Sequence, residues 1–225
     1  MIYNQKVIDS NQIDLIVFDV DGTLYNQTIL RLLMIIEIIL HCIINPFKIK
    51  EIQIIKSYRY SRESKISENI TNNQILTDLS KNYNINKSQV EEIINKWFII
   101  KPKKYLKILV KKGLIDFLNR ANNKGIELTV FSDYPAKIKI KSMGLDNYFK
   151  ITKDHEDIDE LKPNPKRLIK IISSFSTKYS KVLLIGDHDE KDGLVARKLG
   201  ISYLLLSNVE NNPYKFYSYK NLLIN

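Results

Sequence analysis

The sequence predicts a three-layer α/β fold with a mostly parallel sheet, interrupted after its first strand by an all-helical insert. Short aliphatic runs, Leu15 to Phe18, Ile126 to Phe131, Val182 to Ile185 and Ile201 to Leu206, are apolar on both faces, as strands buried between two helical layers must be. Helical periodicities lie between the later runs. The stretch from about 26 to 104 carries helical patterns only, which divides the chain into an α/β core, 1–25 and 105–225, and a helical domain, 26–104.

Taken in chain order, the first strand ends at Phe18 and is followed by the apolar segment Ile29 to Ile44. Arg31, Glu37 and His41 interrupt that segment, and it falls short of the ~20 residues that cross a bilayer, so a buried or half-buried helix is expected. Its broad apolar face also suits peripheral contact with a lipid or membrane surface. Ser88 and Glu91 form an expected capping box, and Val90, Ile93, Ile94, Trp97 and Phe98 then make an apolar stripe that reads as core. Leu114, Phe117, Leu118 and Ala121 recur at helical spacing before a stop at Gly125. Pro135 opens the next helix and Gly144 closes it, while Pro165 opens one running towards Phe175. The tyrosine-rich tail from Tyr214 to Leu223 is expected as a final helix or an interface.

The chain has 225 residues and is 44% hydrophobic, enough for a sizeable core without covalent staples. A single cysteine, Cys42, and a beginning without the features of a secretory signal make the cytoplasm the expected compartment. The net charge of +10 suits phosphorylated small molecules, nucleic acid or an anionic membrane surface, and charge alone does not choose among them. Most lysines of the stretches Lys101 to Lys112 and Lys137 to Lys141 read as solvated helix faces. With no zinc-ligand spacing and no aromatic-interleaved basic motif, nucleic acid is not an expected partner.

Ligands of doubly wound sheets sit beyond the carboxyl ends of the strands, so polar residues placed there are the candidates for chemistry. Asp19-Val20-Asp21-Gly22-Thr23 follows the first strand, and its alternation directs Asp19 and Asp21 into one small volume. Two carboxylates so close cost energy unless a cation neutralises them or one keeps its proton, and magnesium is a cation that prefers such oxygen donors. Gly22 lets the backbone turn, and Thr23 can bond the turn or a carboxylate. Ser132 follows the second run, where a serine either caps the coming helix or donates to a phosphoryl oxygen. Lys162 lies in the proline-stiffened Leu161-Lys162-Pro163-Asn164-Pro165, and Gly186-Asp187-His188-Asp189-Glu190-Lys191-Asp192 follows the third run.

Together and in this order, the four segments resemble the signature of the haloacid dehalogenase (HAD) superfamily. The resemblance implies a Rossmann-like core with the helical insert as a cap, Asp19 as a nucleophile that becomes phosphorylated, and Asp21 as the acid-base residue. It implies that Ser132 and Lys162 hold phosphoryl oxygens. It further implies that Asp187 binds Mg2+ with the Asp19 carboxylate and the Asp21 backbone carbonyl, and that Asp192 orients Lys162 or the metal's water shell. Members that cleave carbon-halogen bonds lack the second carboxylate, so Asp21 argues for phosphoryl transfer. Thr23 and Tyr134 are further candidates for substrate contact, with packing as the plainer role of Tyr134, and His188 stands behind them near substrate or metal.

The expected activity is magnesium-dependent hydrolysis of a small phosphorylated metabolite, such as a sugar phosphate. Two alternatives stand beside it: a phosphosugar mutase of the same superfamily, and a non-catalytic, membrane-associated binding protein of the same fold. The sequence leaves the oligomeric state open.

Overall fold

The computed structural model of the chain describes residues 6–64, 71–155, 159–207 and 213–225. Strands β1 (Lys6–Ile8) and β2 (Leu15–Phe18) come first. They are followed by the helices α1 (Gln27–Ile44), α2 (Ile49–Ser64), α3 (Asn72–Tyr83), α4 (Lys87–Ile94) and α5 (Lys103–Leu106). The alternating part continues with α6 (Leu114–Asn123), β3 (Glu127–Val130), α7 (Ala136–Met143), α8 (Lys166–Ser173), β4 (Val182–Gly186), α9 (Leu194–Leu199) and β5 (Ser202–Leu206). Two short strands, β6 (Lys215–Phe216) and β7 (Leu222–Ile224), end the chain.

The main sheet has the order β3-β2-β4-β5-β6 and is parallel throughout. Strand β2 sits between β3 and β4, with Phe18 in register with both Val130 and Ile185, so three strand ends open at one level. Alternate residues of β2 feed opposite layers. Ile16 and Phe18 pack with Phe117, Leu118 and Ile140 of α6 and α7, whereas Leu15 and Val17 pack with Leu168 and Ile171 of α8 and Val195 of α9. All four β2 side chains are fully buried, each worth about 1.5–3 kcal/mol relative to exposure. That two-sided burial is why the strand is aliphatic without alternation.

The tail differs from expectation. Instead of a helix it forms β6 on the edge of the main sheet and β7, which pairs with β1 in a separate two-stranded sheet. Tyr219 between them is fully buried against Phe18, Phe117 and Phe216. Tyr214 and Tyr217 of the same tail stay exposed.

Helices α2, α3 and α4 share a small core of their own built on Ile54, Tyr58, Leu76, Leu79 and Val90. The capping box of α4 lies two residues earlier than expected, on Asn86 and Gln89, which places Ser88 inside the first turn. Helix α1 is the larger departure. Of its 18 residues, only Leu30 and Met34 are buried, and its outer face stands in solvent.

Candidate active site

The amide of Asp19 donates to the Ile185 carbonyl at 2.8 Å, and the amide of Phe131 donates to the Phe18 carbonyl at 2.7 Å. These bonds extend the ladder one residue past each strand and fix where the β2 carboxylate emerges. Gly22 then turns the chain away at φ +98°, and a Cβ there would also run into the Asp187 carboxylate. Glycine is therefore required both for conformation and for space. Thr23 is fully buried and its Oγ1 donates to Asp19 Oδ2 at 3.1 Å. It orients Asp19 from behind the cavity, so the expectation of direct substrate contact gives way to its other expected role, bonding a carboxylate. The Tyr219 hydroxyl donates to the Thr23 carbonyl at 3.2 Å and ties this loop to the tail.

Lys162 reaches the same point from the loop before α8. Its Nζ lies 2.6 Å from Asp19 Oδ1 and 2.7 Å from Asp192 Oδ1, and its side chain is 2% exposed. Burial alone would strip the ammonium of its proton, but Asp19, Asp192 and Asp133 outweigh it and keep Lys162 charged. Its amide donates to Asp133 Oδ1 at 2.9 Å, so backbone and side chain are both anchored. Asp192 accepts the amides of Asp187 and His188 on Oδ2, each at 3.2 Å, while its Oδ1 holds Lys162. A Cβ at Gly186 would collide with this carboxyl, which explains a glycine at the end of β4.

Asp21 meets a different set of partners. Its Oδ1 accepts from Lys139 Nζ and from the Tyr25 hydroxyl, and its Oδ2 accepts from Ser132 Oγ at 3.3 Å. Burial pushes the carboxyl up, but Lys139, with help from Tyr25 and Ser132, holds it below its ordinary value. Ser132 is not a helix cap, since Pro135 occupies that position for α7; besides reaching Asp21, its Oγ accepts the Tyr134 amide at 3.1 Å. Lys139 is an exception to the solvated reading of most lysines in this stretch, because it is buried beside Asp21. The signal was present: Ala136, Lys139, Ile140 and Met143 form the buried stripe of α7, so this lysine sits on the inward face.

Asp19, Asp187 and Asp192 each offer an oxygen within 4.8 Å of the others. Asp192 is committed on both oxygens, whereas the Asp187 carboxylate makes no hydrogen bond or ion pair among the described residues. Burial, and then Asp192, push Asp187 up to about 6. Burial likewise raises Asp19, against the pull of Lys162, and Asp192 and Asp187 add to the rise. One buried ammonium thus leaves surplus negative charge on hard oxygen donors, an arrangement that fits a small divalent cation such as magnesium. The Asp21 carboxylate is turned to Lys139 and lies outside this cluster.

Above these groups lies a cavity of about 260 Å³, at the small end for ligand sites. Asp19, Asp21, Lys162 and Asp187 form its charged floor, and Leu30, Met34, Ile38, Ile55, Trp97 and Phe98 of the insert form an apolar wall. Tyr134 lines the cavity and also packs, stacked on Phe98 with centroids 5.7 Å apart and covered by the Arg62 guanidinium at 4.3 Å. His188 is exposed at the same cavity, held by its amide on Asp192. Sequence reasoning missed Tyr25, Arg62, Asp133 and Lys139. Arg62 donates to the Tyr58 hydroxyl at 2.7 Å, to Asn72 Oδ1 at 2.6 Å and to the Asp133 carbonyl, tying the insert to the loop after β3.

The sequence model for haloacid dehalogenase-like hydrolases matches residues 16–206, a span that contains every group on the cavity floor. No curated protein matches the chain. Solved structures with the same fold include β-phosphoglucomutase from Clostridium difficile, with a TM-score of 0.64 at 12% identity over 94% of this chain and 90% of that one. They also include the HAD-hydrolase YfnB from Bacillus subtilis, bound to magnesium, with a TM-score of 0.63 at 15% identity over 93% and 96%. A HAD phosphatase from Thermococcus onnurineus gives 0.57 at 18% identity over 92% and 95%. At these identities the likeness is one of fold, but the sequence match spans most of the chain, and the protein belongs to the haloacid dehalogenase-like hydrolase family.

Proposed function

We propose that the chain is a phosphomonoester hydrolase, probed from below by one charged floor and covered from above by the insert, 26–104, acting as a cap on the core formed by 1–25 and 105–225. The observation that carries this reading is the placement of Asp19 at the cavity floor, 2.6 Å from the buried ammonium of Lys162, with a second carboxylate, Asp21, in the same cavity. In the first step an Asp19 oxygen attacks phosphorus, the ester P–O bond breaks, and the leaving oxygen takes a proton from Asp21. In the second, Asp21 accepts a proton from water as its oxygen attacks phosphorus, freeing Asp19 and inorganic phosphate.

Asp21 must carry a proton when the ester bond breaks, although Lys139 favours its ionised form in the ligand-free site. An entering phosphate dianion opposes Lys139 electrostatically and raises the Asp21 carboxyl, so substrate itself prepares the acid. Lys162 offsets charge on the transferring group, and Asp133, Asp192 and Thr23 keep Lys162 and Asp19 in place. Ser132 holds Asp21 at 3.3 Å, and turned from it the same hydroxyl would donate to a phosphoryl oxygen. Mg2+ would be held by the carboxylates of Asp19 and Asp187 and the backbone carbonyl of Asp21. Bound there, it would reduce the repulsion between Asp19 and an anionic phosphate.

The apolar wall and small volume favour a compact phosphomonoester with one apolar or weakly polar flank. Among the described residues of the insert, the carboxylate that lines the cavity is Glu63, and Arg31 engages it at 2.8 Å, which weighs against transfer to a second hydroxyl. Cys42, the only cysteine, is in keeping with a reducing cytoplasmic setting. The reading is tested by phosphate release from a panel of phosphorylated metabolites, with magnesium and with chelator, using Asp19→Asn as the blank. Magnesium-dependent release that the blank lacks is expected; release by Asp19→Asn at the wild-type rate would overturn it.

A further inference from the structure

From the orientation of α1 we infer that the protein docks on an anionic bilayer surface, with α1 lying in the interface plane. The three polar residues that break its apolar sequence all turn towards the protein. Arg31 pairs with Glu63 at 2.8 Å. Glu37 accepts from Tyr105 at 2.7 Å and from Lys101 at 3.1 Å, and it pairs with Lys104. His41 lies against Trp97 at 5.3 Å and near Lys96. The opposite face is left without a charge. Ile29, Leu32, Ile36, Ile39, Leu40 and Ile43 recur at three- and four-residue spacing and are 45% to 72% exposed.

Three features select a lipid surface over other occupants. The six side chains are all aliphatic, whereas the centres of protein interfaces favour tyrosine, tryptophan and arginine. The residues around its inner edge are basic on balance: Lys48, Lys96, Lys101 and Lys104 outnumber Glu37 and Glu51, with which they pair. A second copy would bring two chains of charge +10 together, whereas an anionic lipid surface neutralises them. The inner face of α1 is pinned by Leu30, Met34, Glu37 and His41, so the helix cannot leave the protein to span a bilayer without breaking those contacts. Lying in the plane keeps them and buries the outer face among acyl chains. Leu30, Met34 and Ile38 on that inner side line the cavity, which therefore sits one helix, about 10 Å, from the lipid.

The test is flotation of the full chain with vesicles of phosphatidylcholine and phosphatidylglycerol at 3:1, and with phosphatidylcholine alone. The chain is expected to float with the mixed vesicles, to float less in high salt, and to lose at least tenfold in bound fraction as the double variant Ile39→Glu, Ile43→Glu. Both positions are exposed, and circular dichroism of the variant should match the wild type. Failure of the wild type to float would overturn the inference. So would equal flotation of the double variant, or a soluble dimer that the substitutions dissolve while the wild type ignores vesicles.

Discussion

The cavity floor and helix α1 face each other across the same space, yet they are stabilised in opposite ways. On the floor, charges are buried and nearly all are answered: Lys162 lies between two carboxylates, Asp21 takes Lys139, Tyr25 and Ser132, and Asp192 uses both oxygens. On α1, charge is swept to one side and apolar surface is left over on the other. A buried ionic network is costly to disturb because each lost partner leaves an uncompensated charge. An exposed apolar face is costly only in water. The floor is therefore where single substitutions should act on chemistry, and α1 is where they should act on location.

The largest effect expected on the floor is that of Asp19→Asn, which removes the attacking oxygen and should lower turnover by roughly 10⁴-fold or more while the protein remains folded. Asp21→Asn should cost about 10²–10⁴-fold, because it removes proton transfer in both steps. Lys139→Met sharpens the comparison within the floor. Without the ammonium, burial raises the Asp21 carboxyl, which keeps its proton to higher pH; the optimum for leaving-group protonation should move upward, with turnover reduced about tenfold or more. An unchanged pH-rate profile would show that Lys139 serves packing only.

The smallest effect concerns the inner side of α1. Hydrogen bonds from Lys104, reinforced by Tyr105 and Lys101 against the opposing effect of burial, hold Glu37 down to about 2 from an ordinary 4.5. A carboxyl depressed in the folded state stabilises the fold above its unfolded pKa and loses that contribution as pH falls through the folded one. Glu37→Gln should therefore lower Tm above pH 4.5, and the gap from the wild type should close as pH approaches 2. A gap that persists in acid would assign the stabilisation to shape and not to charge.

The same contrast governs what could be read from the sequence. The carboxylates of the floor were legible because they follow aliphatic runs, and a buried parallel strand fixes where the next side chain emerges. Asp19 and Asp187 were placed on that logic and Lys162 from its proline-stiffened loop, and the structure brings the three together. Lys139 was not, since a lysine inside a helix reads as solvated unless its position on the apolar stripe is weighed. On α1 the helix was legible but the direction of its faces was not. Arg31, Glu37 and His41 look like interruptions until their partners, which lie far along the chain, are known. The strands β1, β6 and β7 escaped notice because runs of two or three residues carry no periodicity.

The central claim is that Asp19 becomes covalently phosphorylated. It is tested most directly by quenching turnover of the best phosphorylated substrate and examining the peptide that carries Asp19 by mass spectrometry. The account predicts a phosphoryl adduct on Asp19 that accumulates during turnover, builds up further in Asp21→Asn, and is absent from Asp19→Asn. Phosphate release at full rate with no adduct on Asp19 at any time would contradict it and would assign the attack to water.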